Sequence, residues 1–296
     1  MRVTSSMMVN STLRDLSLNL SRLQETQTKL STGKELTRAS VNPGAAATAM
    51  GMRQDLRRTD QRMRSLDDAQ GWLSTADNAL TSGLTSLARA KELAVRGATT
   101  GAMGDPVARN AVGAEIRSVR AELLALANSS YGDRSVFNGS ASGPAYDANG
   151  AYLGNDAAVV RDVAPSTSIT VNVTGPTAFG TAGGPVGNVF EVLDRLATAV
   201  ENGDDAAIAL EQTNLAGATS QMGQAVTQVG TRSARLEDIK NRLETDQQTL
   251  KTNLSQVEDV DIVDALIRSK AEENSYQATL QVAAKILPAT LLDYLR

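Results

Sequence analysis

Neither cysteine nor histidine occurs anywhere in the 296 residues. That excludes disulfides, thiolate zinc sites, cysteine nucleophiles and every histidine-based triad or metal site. Acid–base chemistry near neutral pH would fall to tuned carboxylates, lysine or tyrosine. Aromatic residues make up only 3 % of the chain, and 29 basic against 33 acidic side chains leave a formal net charge of −4. There is thus no electrostatic footprint for DNA or RNA, and none is expected as a partner. Uninterrupted apolar runs are only a few residues long, so membrane insertion is not expected either. Residues 1–25 hold Arg2 but no apolar core of a secretory signal, and none is expected there.

What the chain does have is apolar spacing. Val9, Leu13, Leu16, Leu20, Leu23 and Leu30 fall on alternating steps of four and three, with Gln27 the one interruption. Such a heptad stripe suits a helix lying along a partner helix. Gly33, in Ser-Thr-Gly-Lys, is a natural stop, so a helix is predicted over about 5–32. Asn42-Pro43 reads as an N-cap followed by proline at the first helical position. No proline occurs between Pro43 and Pro106, and the stripe continues through Leu56, Leu66, Leu73, Leu80 and Leu87. A helix over 44–97 would span roughly 80 Å at 1.5 Å per residue, too long for a compact domain of this mass, so a rod is expected. Gly51, Gly71 and Gly83 inside it each cost up to ~1 kcal/mol relative to alanine, which packing must offset. After a turn at 101–104, Asp105-Pro106 repeats the cap pattern for a third helix ending near Asn128.

Between Tyr131 and Pro185 the helical period stops and turn formers gather, among them Asn138-Gly139 and Asn149-Gly150. Strand-like runs stand between them at 135–137, 151–153, 159–160 and 169–174, with a hairpin expected between Tyr146 and Tyr152. Helix resumes at Val189 and closes at Gly203, and Asp204 caps a long successor. Ser255-Gln256-Val257-Glu258 fits a capping box and predicts a fresh start or bend. The last helix carries Ile262, Leu266, Tyr276, Leu280 and Leu287; Pro288 is expected to bend or end it before Leu291, Leu292 and Leu295.

The fold class expected is therefore mainly α with a small β insert: an elongated antiparallel helical bundle or coiled coil built from both chain ends, with a β-rich outer domain in the middle. Residues 1–42 with 258–296 would form an inner assembly domain, 43–130 with 186–257 a helical rod domain, and 131–185 the outer domain. Terminal helices so sparsely apolar are marginal alone and need each other or other subunits. A stripe this long also tolerates sliding between registers.

No catalytic, cofactor or metal site emerges. Glu258, Asp259, Asp261 and Asp264 lack the glycine and ligand spacing of a calcium loop and read as helix N-terminal carboxylates. Gly33-Lys34 lacks the rest of a phosphate loop. Arg53, Arg57, Arg58, Arg62 and Arg64 are interleaved with Asp55, Asp60, Asp67 and Asp68, as on a solvated or intersubunit ion-pair face. Asn10, Asn128, Asn138, Asn172 and Asn253 fit the glycosylation pattern, as expected by chance in a Ser/Thr/Asn-rich chain.

Several segments carry a resemblance. Leu30-Ser31-Thr32-Gly33-Lys34, Val136-Phe137-Asn138-Gly139, Val257-Glu258-Asp259-Val260-Asp261, Tyr276-Gln277-Ala278-Thr279-Leu280 and Leu291-Leu292-Asp293-Tyr294-Leu295 are similar in order and content to segments of the flagellin superfamily. The last is closest to the branch that joins the flagellar hook to its filament. Val41-Asn42-Pro43 departs from the acidic pair usual before that proline, and Pro288 is a second departure. The resemblance implies a non-enzymatic, extracellular axial subunit, exported unfolded through the flagellar type III apparatus. It would form a ring-like homo-oligomer, with the first hook-associated protein on the hook side and flagellin on the filament side, and be held before export by a cytosolic chaperone. Its terminal helices would be loose in the free chain and pack as an inner tube on assembly. A minor flagellin shares these features, and a cytoplasmic coiled-coil scaffold is a further alternative.

Overall fold

The computed structural model describes residues 5–99, 104–164, 167–184 and 186–294, with side chains except at 5, 6, 164 and 286–294. Most of the turn expected at 101–104 lies outside the described residues, as does Leu295. The element order is α1 (Ser5–Thr32), α2 (Pro43–Gly97), α3 (Pro106–Ala127), β1 (Ser130–Tyr131), β2 (Arg134–Ser135), β3 (Val160–Ala164), β4 (Thr167–Thr170), α4 (Gly175–Phe179), α5 (Val189–Asn202), α6 (Asp205–Glu258) and α7 (Ile262–Tyr294).

Helix ends follow local chemistry. Gly33 takes a φ of 68° and donates its N–H to the Lys29 carbonyl, closing α1. Asn42 Oδ1 accepts from the Ala45 N–H, and Asp105 Oδ1 from the Val107 N–H, each just ahead of a proline. Asn188 and Glu191 exchange side-chain and backbone bonds in a capping box that opens α5. Gly203 ends that helix, and Asp204 Oδ1 accepts from the Ala207 N–H to start α6.

Two expected helix limits do not occur. Helix α6 runs through Ser255 to Glu258, and the Ser255 hydroxyl donates to Asp259 rather than capping a new start. Helix α7 passes through Pro288 to Tyr294. Proline's fixed φ is helical, and the ring removes one N–H that would have bonded the carbonyl four residues back.

Two compact units result: one of Met1–Thr59 with Thr245–Arg296, the other Asp60–Glu244. The second holds the hydrophobic core. Leu66, Leu73, Leu80 and Leu87 of α2, Ile116 and Leu123 of α3 and Leu193 of α5 are fully buried in it. All three phenylalanines join Tyr146 there: Phe137 and Phe179 meet edge to face at 5.1 Å and Tyr146 and Phe190 at 5.0 Å.

The strands are displaced from where the sequence predicts them. Strand β1 pairs β2, and β3 pairs β4 antiparallel with Val160 opposite Thr170 and a bulge between Asp162 and Ala164. Tyr146 and Tyr152 form an isolated bridge around Asn149-Gly150, as the hairpin reading expected. Val136 and Phe137, expected in a strand, are buried, and the Val136 N–H bonds the Ser129 carbonyl outside any named strand. Strand β4 stops at Thr170, because the Asn172 side chain captures the Val159 N–H and the Ala157 carbonyl. Asn128, Asn138 and Asn172 each donate their side-chain amide to a backbone carbonyl, so three of the glycosylation-like sites are structural.

The glycines of α2 divide by surroundings. A Cβ on Gly71 would lie 2.5–2.7 Å from the Tyr131 phenol, whose ring packs against Trp72. A Cβ on Gly51 would meet nothing within 4 Å. Gly51→Ala is therefore expected to raise stability by about 0.5–1 kcal/mol through backbone entropy. Gly71→Ala is expected to lower it by about 1–3 kcal/mol through overpacking. Denaturant titration of the two variants checks this, and equal gains at both sites would contradict the notch at Gly71.

Candidate assembly interface

The unit of 1–59 and 245–296 is built differently. Its buried side chains among the described residues are Thr26, Ala49, Thr59, Glu258, Ala265 and Ala283, and no large apolar side chain is among them. Helices α1 and α7 pair within this unit. On α1 the shielded line runs Val9, Thr12, Leu16, Asn19, Leu23, Thr26 and Leu30. On α7 it runs Ala265, Ser269, Glu272, Tyr276, Thr279 and Ala283. Both lines step by three and four, as in a coiled-coil seam. Asn19 Nδ2 donates to Thr279 Oγ1 at 2.9 Å across the pair.

The stripe read from the sequence thus divides. Val9, Leu16, Leu23, Leu30 and Tyr276 lie half-buried on the seam. Leu13 and Leu20 are 48 % and 38 % exposed, and Ile262, Leu266 and Leu280 are 60 %, 53 % and 41 % exposed. The cause is angular. The leucine stripe and the shielded line share one position in every seven, then diverge to opposite flanks of the helix. Where leucine was expected to meet the partner helix, Thr12, Asn19 and Thr26 do so. Leu287, Leu291 and Leu292 lie in the part of α7 whose side chains are outside the described residues.

Leu13 and Leu20 therefore leave the seam on one flank of α1, and Leu266 and Leu280 on the matching flank of α7. On the opposite flank Asp15, Leu18 and Arg22 of α1 face Ser275, Ala278 and Val282 of α7 across a shallow groove.

At the base of the pair the two links to the long helices are clipped together. Glu35 N–H donates to the Glu258 carbonyl at 2.7 Å and Val260 N–H to the Gly33 carbonyl at 3.1 Å. Glu258, only 3 % exposed, takes Arg53 in a two-point pair, Nε to Oε1 and Nη2 to Oε2, both at 2.8 Å. Lys34 Nζ lies 2.5 Å from Asp259 and 3.5 Å from Glu258. Lys29 reaches Glu35 at 2.8 Å. The acidic group was expected at a helix N-terminus. Only Asp261 and Asp264 stand there, Asp261 Oδ1 accepting from the Val263 and Asp264 N–H groups. Glu258 and Asp259 instead end α6, where facing cations hold them. The pairing of Arg53 with Glu258, 205 residues apart, carries no local sequence signal.

The hydrogen bond from Lys34, then that from Ser255, holds the Asp259 carboxyl below the ordinary carboxylate range, and the same Lys34–Asp259 bond raises the lysine. A lowered carboxyl stabilises above its unfolded pKa and loses that contribution as pH falls through the folded value. A raised lysine loses its contribution only as pH rises through its own. The Lys34–Asp259 pair is thus insensitive to pH between about 5 and 9.

Glu258→Gln leaves Arg53 without its carboxylate. Breaking a buried pair costs about 3–5 kcal/mol, which the half-exposed Arg53 reduces to about 1–2 kcal/mol. Amide exchange at Glu35 and Val260 is expected to quicken about tenfold, with the core around Leu73 and Ile116 unchanged. Unchanged exchange at both link amides would show that Glu258 does not hold them.

Comparison with known proteins gives a consistent set of likenesses. The bacterial flagellin N-terminal helical region matches residues 3–142, and the bacterial flagellin C-terminal helical region matches 212–295. Flagellin of Bacillus subtilis is 26 % identical over 259 residues, covering 82 % of this chain and 80 % of that one. Flagellar hook-associated protein 3 of Escherichia coli is 26 % identical over 307 aligned positions, covering 94 % and 96 %. Among solved structures, a putative flagellar hook-associated protein from Vibrio parahaemolyticus superposes with a TM-score of 0.68 at 19 % identity, over 74 % of this chain and 100 % of that one. FlgL of Bacillus cereus does so at 0.61 and 22 %, over 69 % and 99 %. These two share the fold.

Proposed function

This chain belongs to the flagellin family, made of structural components of the flagellar axis and not enzymes, and we propose that within it the protein forms the junction between hook and filament. The near end-to-end likeness to a hook-associated protein 3, 94 % of one chain and 96 % of the other, supports the junction over a filament subunit. The likeness to a flagellin covers less of both chains. In this role copies of the chain form a ring in the axis, meet the first hook-associated protein on one side and present a surface on which flagellin polymerises on the other. Export through the flagellar type III apparatus and a cytosolic chaperone complete the reading.

The observation that carries the mechanism is the composition of the terminal pair. No large apolar side chain described in its unit is buried, while Leu13, Leu20, Leu266 and Leu280 stand out from it. Each leucine fully buried contributes about 1.5–3 kcal/mol, so these four retain roughly half of that for a neighbour to supply. Residues 1–42 with 258–296 are then the assembly domain, ordered fully when adjacent copies cover the leucines. Residues 43–130 with 186–257 form the helical body, and 131–185 the outer domain.

Deleting the gene in its motile host tests the junction reading. Cells that keep hooks, lack filaments and release flagellin monomers into the medium are the expected result. Normal filaments and motility would overturn it in favour of a redundant filament subunit.

A further inference from the structure

The two flanks of the terminal helix pair are unlike each other. Helices α1 and α7 run antiparallel, since the bonds of Gly33 and Glu35 with Val260 and Glu258 join the end of one to the start of the other. With Asn19 beside Thr279, Leu16 is level with Val282, Leu18 with Leu280, Leu20 with Ala278 and Glu25 with Glu273. On one flank Leu13, Leu20 and Leu280 therefore make an exposed apolar ridge, with Glu273 beyond its end. On the other, exposed Leu18 and Val282 rim the shallow groove together with Ala278, and Arg22 stands beyond them.

Ridge and groove match in height and in charge. Both apolar spans fall between the levels of Leu13 and Leu20. Arg22 and Glu273 differ by three residues in level, about 4.5 Å along the axis, which an arginine side chain spans. Arg22 makes no ion pair among the described residues. Glu273 gives Oε2 to exposed Lys270 one turn away, a surface pair worth little. Asp15 also lines the groove and has no counterpart of opposite charge among the ridge residues, so the match holds one ion pair.

We propose that what covers the leucines is the opposite flank of a second copy: the Leu13, Leu20 and Leu280 ridge of one chain seats on the Leu18, Ala278 and Val282 groove of the next, with Arg22 paired to Glu273. A copy laid alongside, in the same direction and unshifted, makes this contact. Two ridges related by a two-fold axis along the helices would set Glu273 against Glu273, and any ridge-to-ridge packing leaves Arg22 unpaired. Since the two flanks differ, every copy in a row keeps one of each to offer, and the row closes into a ring or extends as a helix. Three apolar side chains a side fall far short of the roughly 20 residues a side of a stable interface, so a lone pair is weak. The place of this contact in the flagellum rests on the axial-subunit reading above; the contact itself does not.

Two blocked forms of the full-length chain test it, followed by sedimentation at high concentration in sulfate, which strengthens apolar burial. Leu13→Gln with Leu20→Gln removes the ridge, and Leu18→Gln with Val282→Gln removes the groove. Neither form is expected to associate with itself. Their equimolar mixture is expected to form one-to-one pairs and stop there, because one form keeps a groove and the other a ridge. Pairs formed by the groove-blocked chain alone would show ridge meeting ridge and overturn the proposal. A mixture that stays monomeric, or an unmodified chain that does, would overturn it as well. A second pair of variants leaves the leucines intact: Arg22→Glu or Glu273→Arg alone is expected to weaken association about tenfold, and both in one chain to restore it. Absence of that restoration would contradict the pairing. Normal filaments in the gene-deletion strain would sink the axial reading and leave the contact in solution standing.

Discussion

Burial of leucine is the largest favourable term open to a helix pair, and in this protein the terminal pair defers it. Threonine, asparagine, alanine and serine occupy much of the contact between α1 and α7, while Leu13, Leu20, Leu266 and Leu280 face outward. A pair assembled this way is held by few strong terms of its own. Its two helices are nonetheless brought side by side by the clip at Gly33–Glu35 and Glu258–Val260 and tied by the Asn19–Thr279 hydrogen bond. Cohesion is left for a neighbour to supply, and geometry is settled within the chain.

The unit of residues 60–244 follows the opposite rule. Its heptad leucines are fully buried, its phenylalanines are gathered with Tyr146 in one cluster, and Gly71 gives up a side chain so that Tyr131 can approach α2. The core described in that unit is closed within the chain. The same heptad language therefore encodes two states of completion in one chain. In one unit the stripe is consumed by folding, and in the other half of it is left over.

Helix limits were legible because they rest on single residues with local jobs: Gly33 and Gly203 in the left-handed region, Asn42 and Asp105 before proline, Asp204 as a cap. The division of the terminal stripe was not, since apolar periodicity reports that a face is apolar and not which flank of it meets the partner. The strands were misplaced for a similar reason. Val136 and Phe137 are apolar because they are buried, and Asn172 ends β4 by side-chain bonds that no alternation pattern announces. Ser255 and Pro288 carry break signals that helices of 54 and 33 residues pass through. The family likeness, by contrast, was visible in short segments at both ends, and the profiles of the two helical regions extend it to most of the chain.

The outward leucines are the centre of this account, and replacing two of them tests it most directly. Leu13→Gln with Leu20→Gln exchanges partly exposed side chains for good helix formers of similar length, so the free chain is expected to keep its helix content and thermal midpoint. Sedimentation of the purified variant is expected to show a loss of self-assembly of at least tenfold. Assembly at the unmodified rate and extent would contradict the claim that this flank is where one copy meets the next.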